Sequence, residues 1–170
     1  MNRLKYILLL LGMVVGISAC SDQQKILTQQ EKDSNAFIKE IEEGSEYTPY
    51  RFLNEDYLIY YKEIKNAPEE NRDVRPLQNS KVRVIIAMEN AQTRQVLLTG
   101  SEQVITIFGV DQNARSMTRG LQIALQCMEV GDEWEVIVPW QLGYGSYTYL
   151  RDIPAYTNLK YHLTLLEIIQ

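Results

Sequence analysis

The residues of this 170-residue chain that could do chemistry are few, and they exclude the common catalytic devices. There is one histidine, His162, and there are two cysteines, Cys20 and Cys127. A zinc site needs several His or Cys ligands, and a Ser-His-Asp triad needs a histidine beside its nucleophile. His162 shares the polar side of an alternating strand with Lys160 and Thr164, which predicts a solvated residue. We therefore expect no metal and no cofactor.

Tyrosines are the more informative group. Tyr144 stands between two glycines, where it has little to pack against, and more tyrosines follow it before the last strand. They are Tyr147, Tyr149 and Tyr156. Aromatic, partly polar surface is typical of peptide-binding clefts. An aromatic loop that covers its own sheet is the alternative interpretation of the same pattern.

The first twenty residues predict export and lipid attachment. Two cations precede an apolar run at residues 7–17, which is too short to span a bilayer but suits a cleaved signal peptide. Two small residues then precede Cys20, as in a bacterial lipobox. We expect a signal peptide at residues 1–19, lipidation of Cys20, and attachment in the bacterial cell envelope. Ser21 after the cysteine favours the outer membrane, facing the periplasm, by the enterobacterial sorting pattern.

The net charge of the chain restricts the kinds of partner that it is expected to bind. The net charge is -5, and residues 1–19 carry two cations and no anion, so their removal makes the chain more acidic. An acidic chain is a poor candidate for nucleic acid or for anionic lipid head groups. Membrane contact is therefore expected through acyl chains alone. With Cys20 lipidated, no internal disulfide is possible, and Cys127 is expected to be a small buried apolar side chain.

Periodicity predicts one α+β domain in the mature chain, preceded by a tether. The tether contains one helix, which a capping box at residues 28–31 begins and Gly44 ends, and which should pack loosely or act as a spacer. In the domain, alternation puts Trp134, Val136 and Val138 on one side of a strand. Strands are predicted over residues 56–64, 81–88, 96–99, 104–108, 133–138 and 159–168, and a helix over residues 118–128.

The order of elements in the last fifty residues carries a family resemblance. A helix beginning at Gly120-Leu121 leads to a Val130-Gly131 turn, a strand ending in Pro139, the hinge Gly143-Tyr144-Gly145, a loop with Ile153-Pro154 and a closing strand. This arrangement resembles the C-terminal half of the FKBP-type peptidyl-prolyl isomerases. The resemblance implies a bent antiparallel sheet of about five strands wrapped on one short helix over residues 56–170, with an N-terminal helical tether at residues 20–55.

The resemblance also implies a site for proline-containing polypeptide segments. Rotation about an X-Pro bond faces a barrier of ~18–20 kcal/mol but breaks no bond, so it needs neither nucleophile nor metal. It needs an apolar hollow between helix and sheet, with hydrogen bonds that favour the twisted amide. By position, Tyr144 matches the family's pocket tyrosine, and Thr118 matches the residue whose backbone N–H holds the substrate. The lining implied in the same way comprises Leu121, Ile153, Tyr161, Ile86 and Met117.

Two positions depart from the family pattern. Ile86 stands where the family has a pocket tyrosine, and Leu97 stands where it has an aspartate, so two polar groups are lost. One hypothesis is an isomerase that assists protein folding in the bacterial envelope. The other is a noncatalytic FKBP-like lipoprotein that binds peptides or acts as a chaperone with a degenerate pocket. Both take proline-containing segments and the membrane as partners, and neither takes nucleic acid or metal.

Overall fold

The computed structural model describes residues 24–53, 55–108, 117–149 and 153–169. The predicted signal peptide and the predicted lipidation site, Cys20, lie outside these ranges. Within these ranges, no helix is both long and apolar enough to cross a bilayer.

Antiparallel pairing along the whole width of one sheet organises the domain. The strands are β1 (Thr48–Tyr50), β2 (Ile59–Lys65), β3 (Lys81–Asn90), β4 (Val96–Thr106), β5 (Glu133–Val138) and β6 (Leu159–Ile169). Their spatial order is β1-β2-β5-β6-β3-β4, and every neighbouring pair is antiparallel. The predicted α+β class is confirmed, and the sheet formed by the described residues has six strands where about five were expected. The additional strand, β1, lies in the segment predicted as the tether, and it pairs with β2.

Strand β4 also differs from its prediction. Residues 96–99 and 104–108 were expected as separate segments around Gly100, but Val96–Thr106 forms one strand. Gly100 lies inside β4 and does not interrupt the strand. A Cβ added there would lie 3.5 Å from Ala87 Cβ, which is an ordinary van der Waals contact. The pairing of β3 with β4 instead shifts register between Ile86 and Met88.

Helix α2 (Arg119–Cys127) lies against one face of the sheet, called here the α2 face. Its N-cap is Thr118, whose side-chain oxygen accepts the Leu121 N–H at 3.3 Å. The strand side chains facing it are apolar, including Trp134, Val136 and Val138, as the alternation predicted. The approach is close at Gly120, where a Cβ would lie 2.3 Å from Val138 Cγ1. Only glycine fits there without displacing the strand.

Residues 24–43 form a second helix, α1, on the opposite face, called the α1 face. Phe37, Ile38 and Ile41 pack there on strand and hairpin side chains. These strand and hairpin side chains are Tyr60, Ala91 and Ile137. Of the two alternatives for this helix, packing on the domain and acting as a spacer, the structure shows the first. It ends at Gly44 as predicted, where the glycine N–H bonds Glu40 O at 3.0 Å.

The predicted capping box does not begin α1. Helical structure already precedes Thr28, and the Thr28 hydroxyl donates to Gln24 O at 2.9 Å within the helix. This local bond is the one that serine and threonine form when they lie inside a helix instead of at its start.

Candidate active site

The predicted site residues converge where α2 begins. Ile86, Leu121, Ile153 and Tyr161 belong to one buried cluster, and we call these four the pocket floor. Ile86 in β3 pairs with Leu163, two residues along β6 from Tyr161 and on the same side. The floor is thus assembled from two adjacent strands, one helix and one loop.

A buried hydrogen bond ties the floor to the start of the helix. The Thr118 Oγ1 and the Tyr161 hydroxyl lie 3.0 Å apart, and both residues are buried. Burial raises the pKa of Tyr161, and the neighbouring Tyr144 raises it further, so the hydroxyl stays protonated. The Thr118 N–H, at the helix N-cap, has no acceptor within α2. The bond to Tyr161 therefore fixes the residue whose backbone is expected to hold the substrate.

Tyr144 lies beside the floor, in the loop that follows β5. Its ring stacks on Tyr149, with ring centroids 4.3 Å apart and planes 8° apart. Tyr149 in turn exchanges two backbone hydrogen bonds with Ile153, at 2.8 and 3.2 Å. Tyr149 thus connects Tyr144 with Ile153, the two site residues predicted in this loop. The sequence did not indicate this role for Tyr149. Burial, with a smaller contribution from Tyr149, raises the pKa of Tyr144 to about 12. Its hydroxyl is therefore a donor at neutral pH.

The side chains of the pocket floor are buried. The exposed fractions of its residues are 0% for Leu121 and Tyr161, 1% for Ile86 and 5% for Ile153. These four side chains therefore have little surface in contact with solvent, and the apolar hollow above them stays a prediction. Tyr161 is fully buried, with its hydroxyl within hydrogen-bond distance of Thr118. Accessible surface remains on Tyr144 and Met117, which are half-buried.

The two departures from the family pattern are both apolar contacts. Ile86 is in the floor, and Leu97 is half-buried against the same core cluster. The hydroxyls of Thr118, Tyr144 and Tyr161 are polar groups at the site. Across the part of the chain that the structure describes, no group of three His, Cys, Asp or Glu residues could hold a metal ion.

Arg119, which the sequence did not indicate, lies next to Thr118 at the start of α2. Its guanidinium lies 4.9 Å from the ring centroid of Phe108 and 5.7 Å from that of Phe52. It also forms an ion pair with Glu55, at 2.5 Å between Nη2 and Oε1. The partners come from segments far apart in the chain, so periodicity could not reveal the contact. The arrangement places a cation between two aromatic rings at the entrance to the helix.

Comparison with known proteins identifies the family to which this chain belongs. A family model described as FKBP-type peptidyl-prolyl cis-trans isomerase matches residues 78–166, and the chain belongs to that family. This confirms the resemblance on which the site was predicted. No curated protein matches the chain.

Solved structures of the family share the fold at low identity. A peptidyl-prolyl cis-trans isomerase from Pseudomonas syringae is 18% identical, with a TM-score of 0.66, over 84% of this chain and 96% of that one. FkpA from Escherichia coli is 14% identical, with a TM-score of 0.69, over 99% of this chain and 73% of that one. The N-terminal domain of FKBP42 from Arabidopsis thaliana is 18% identical, with a TM-score of 0.53, over 73% of this chain and 99% of that one. At such identities these likenesses establish the fold alone.

Proposed function

We propose that this protein catalyses cis-trans isomerisation of X-Pro bonds in polypeptides. The observation that carries the proposal is a protonated tyrosine hydroxyl, that of Tyr144, beside an apolar floor at the start of α2. A planar amide owes its rigidity to resonance, which separates charge between nitrogen and oxygen. An apolar site that excludes water stabilises this charge-separated form less than water does, and so favours the twisted bond.

Each site residue then has a defined task. The prolyl ring packs on the floor formed by Ile86, Leu121, Ile153 and Tyr161. Tyr144 and the Thr118 backbone N–H donate hydrogen bonds to substrate carbonyls, which fixes the orientation of the peptide. Met117 and Tyr144, which are half-buried, form the accessible rim of the site. No proton is transferred and no bond is broken.

A protease-free isomerisation assay on short X-Pro peptides tests this proposal. Tyr144→Phe removes one hydrogen bond, worth about 1.4 kcal/mol, so kcat/KM should fall roughly ten-fold. Tyr147→Phe is the matched control, because Tyr147 lies in the same loop but is 79% exposed, and it should keep the wild-type rate. An isomerisation rate equal to the uncatalysed rate for the wild-type protein would overturn the proposal.

We further propose that the enzyme assists folding in the bacterial envelope, held to the outer membrane by lipid on Cys20 and facing the periplasm. The support is the run of cations, apolar residues and small residues before Cys20. Radiolabelled palmitate should be incorporated by the wild-type chain and by Cys127→Ser, but not by Cys20→Ser. The labelled protein should sediment with outer-membrane markers in a density gradient. Labelling that persists in Cys20→Ser would refute the anchor.

A further inference from the structure

The loop that carries Tyr144 is bonded to α1 as well as to the sheet. We define the site loop as residues 139–149 together with residues 153–158. We propose that Ser34 and Asn35 of α1 are positioning residues for the site, acting by holding the site loop in place. The inference rests on the isomerase function proposed above and names a second element on which that function depends.

Ser34 is the central contact. It is 4% exposed, and its hydroxyl donates to the backbone oxygen of Tyr156. Its own backbone oxygen accepts from Asn158 Nδ2 at 2.8 Å. Tyr156 has a φ of 59°, which is a left-handed conformation that a non-glycine residue keeps only when its surroundings hold it. Ser34 supplies part of that restraint from outside the loop.

The restraint continues from Tyr156 to Tyr144. The Tyr156 N–H donates to Gly145 O at 3.0 Å, and the Gly145 N–H donates to Trp140 O at 2.9 Å. Gly145, with a φ of 78°, directly follows Tyr144 and sets the direction in which the chain leaves it. Tyr156 therefore connects the Ser34 hydroxyl to the residue beside the proposed hydrogen-bond donor.

Asn35 makes a second, independent contact with the same loop. Its side-chain oxygen accepts from Trp140 Nε1 at 3.0 Å. The Trp140 ring meets Tyr156 edge-on, with centroids 4.9 Å apart and planes at 81°. Trp140 N–H also bonds Asn158 Oδ1 at 3.0 Å, so the same amide bonds both Ser34 and Trp140. Two adjacent residues of α1 thus reach both ends of the site loop.

This helix lies outside residues 78–166, the segment that the family model matches. Its apolar side chains, Phe37, Ile38 and Ile41, anchor it on the sheet, and its polar residues Ser34 and Asn35 reach the loop. The rim of the site is consequently restrained by a part of the chain that the matched segment does not include.

The test uses the full chain with Ser34→Ala. Loss of the hydroxyl should lower kcat/KM about five-fold, because a loosened rim misplaces Tyr144. Amide hydrogen exchange should become about ten-fold faster at Tyr156 and Gly145, with β6 unchanged. Thr28→Ala is the matched control, because it removes a hydroxyl of the same helix that donates to Gln24 O within the helix. It should change neither quantity.

Val82→Ala tests whether general destabilisation of the domain is enough to lower kcat/KM. Val82 is fully buried in β3, six residues from Met88, which pairs with Tyr161. This variant should lower the melting temperature but keep wild-type kcat/KM well below it. Two variants of Asn35 test the proposal if Ser34→Ala fails to fold. Asn35→Ala should slow isomerisation. Asn35→Asp keeps the acceptor for Trp140 and should restore the isomerisation rate.

The outcomes are distinct. Exchange and kcat/KM in Ser34→Ala that match Thr28→Ala would overturn the inference. Faster loop exchange with unchanged kcat/KM would also overturn it, because α1 would then hold the loop without affecting the site. If the wild-type protein shows no catalysis, the proposed function fails, and the positioning role for catalysis fails with it, whereas the exchange rates still show whether α1 restrains the loop.

Discussion

The α2 face of the sheet packs mainly through apolar side chains, whereas the α1 face combines apolar contacts with hydrogen bonds and an ion pair. On the α1 face Lys160 is 7% exposed, with its Nζ 2.7 Å from Glu135 Oε1, and the Tyr47 hydroxyl donates to Glu135 as well. Non-directional apolar packing gives the free energy that folds the domain. Directional polar contacts give less free energy, because burying charge is costly, but they fix relative positions. The α1 face is therefore suited to positioning the site loop.

Truncating one apolar side chain in each helix should give the largest contrast. Leu125 in α2 is fully buried, so Leu125→Ala should lower the free energy of unfolding by about 3 kcal/mol. Ile38 in α1 is half-buried, so Ile38→Ala should cost only about 1 kcal/mol. Urea denaturation followed by circular dichroism measures both. Equal losses would show that α1 contributes to the core as much as α2 does.

Two glycines offer a contrast of intermediate size. Gly120→Ala places a methyl group within 2.3 Å of Val138, and the resulting overpacking should cost about 2 kcal/mol. Gly100→Ala, on the edge strand, meets only Ala87 at 3.5 Å and should change stability by less than about 0.5 kcal/mol. Melting temperatures of the two variants provide the measurement. A tolerated Gly120→Ala would mean that α2 can move away from β5.

Lowering the pH should weaken the polar contacts on the α1 face and so reduce the stability of the domain. This should be the smallest of the three effects. Burial alone would raise the pKa of Glu135, but hydrogen bonds from Lys160 and Tyr47 outweigh it and hold the pKa below its usual value of 4.5. A lowered carboxylate pKa contributes stability above pH 4.5, which is lost as the pH falls through the folded value. The urea midpoint should thus fall less steeply in acid for Glu135→Gln than for the wild type.

The comparison with Glu135→Gln isolates one carboxylate. Glu129, whose pKa Arg75 lowers, loses stabilising contacts in acid in both proteins, so its contribution cancels in the difference. Identical acid profiles for the two proteins would show that the Lys160–Glu135 pair contributes no net stability.

Elements with one continuously buried side were predictable from the sequence. The alternation of Trp134, Val136 and Val138 was confirmed because that side of β5 meets α2 along its length. The α2 start at Thr118 was confirmed too, since an N-cap is a local property of a few residues. His162 is exposed, as its position on the polar side predicted.

Features that depend on distant partners were not predictable. β1 is three residues long and contains Pro49, so only its pairing with β2 makes it a strand. Lys160 shares the polar side with His162 but is buried, because Glu135 on the neighbouring strand pairs with it. The Thr118–Tyr161 bond joins residues 43 positions apart. The site residues carried over from the family stay predictions in their roles, although the structure brings them together.

The strand order has a consequence for how the chain is made. β6 is the final strand in sequence, yet it lies in the middle of the sheet between β5 and β3. Until it is synthesised, β1-β2-β5 and β3-β4 are two separate sheets, each with an unpaired edge. The sheet therefore cannot close before β6 has emerged, and deletion of β6 should leave an aggregation-prone product.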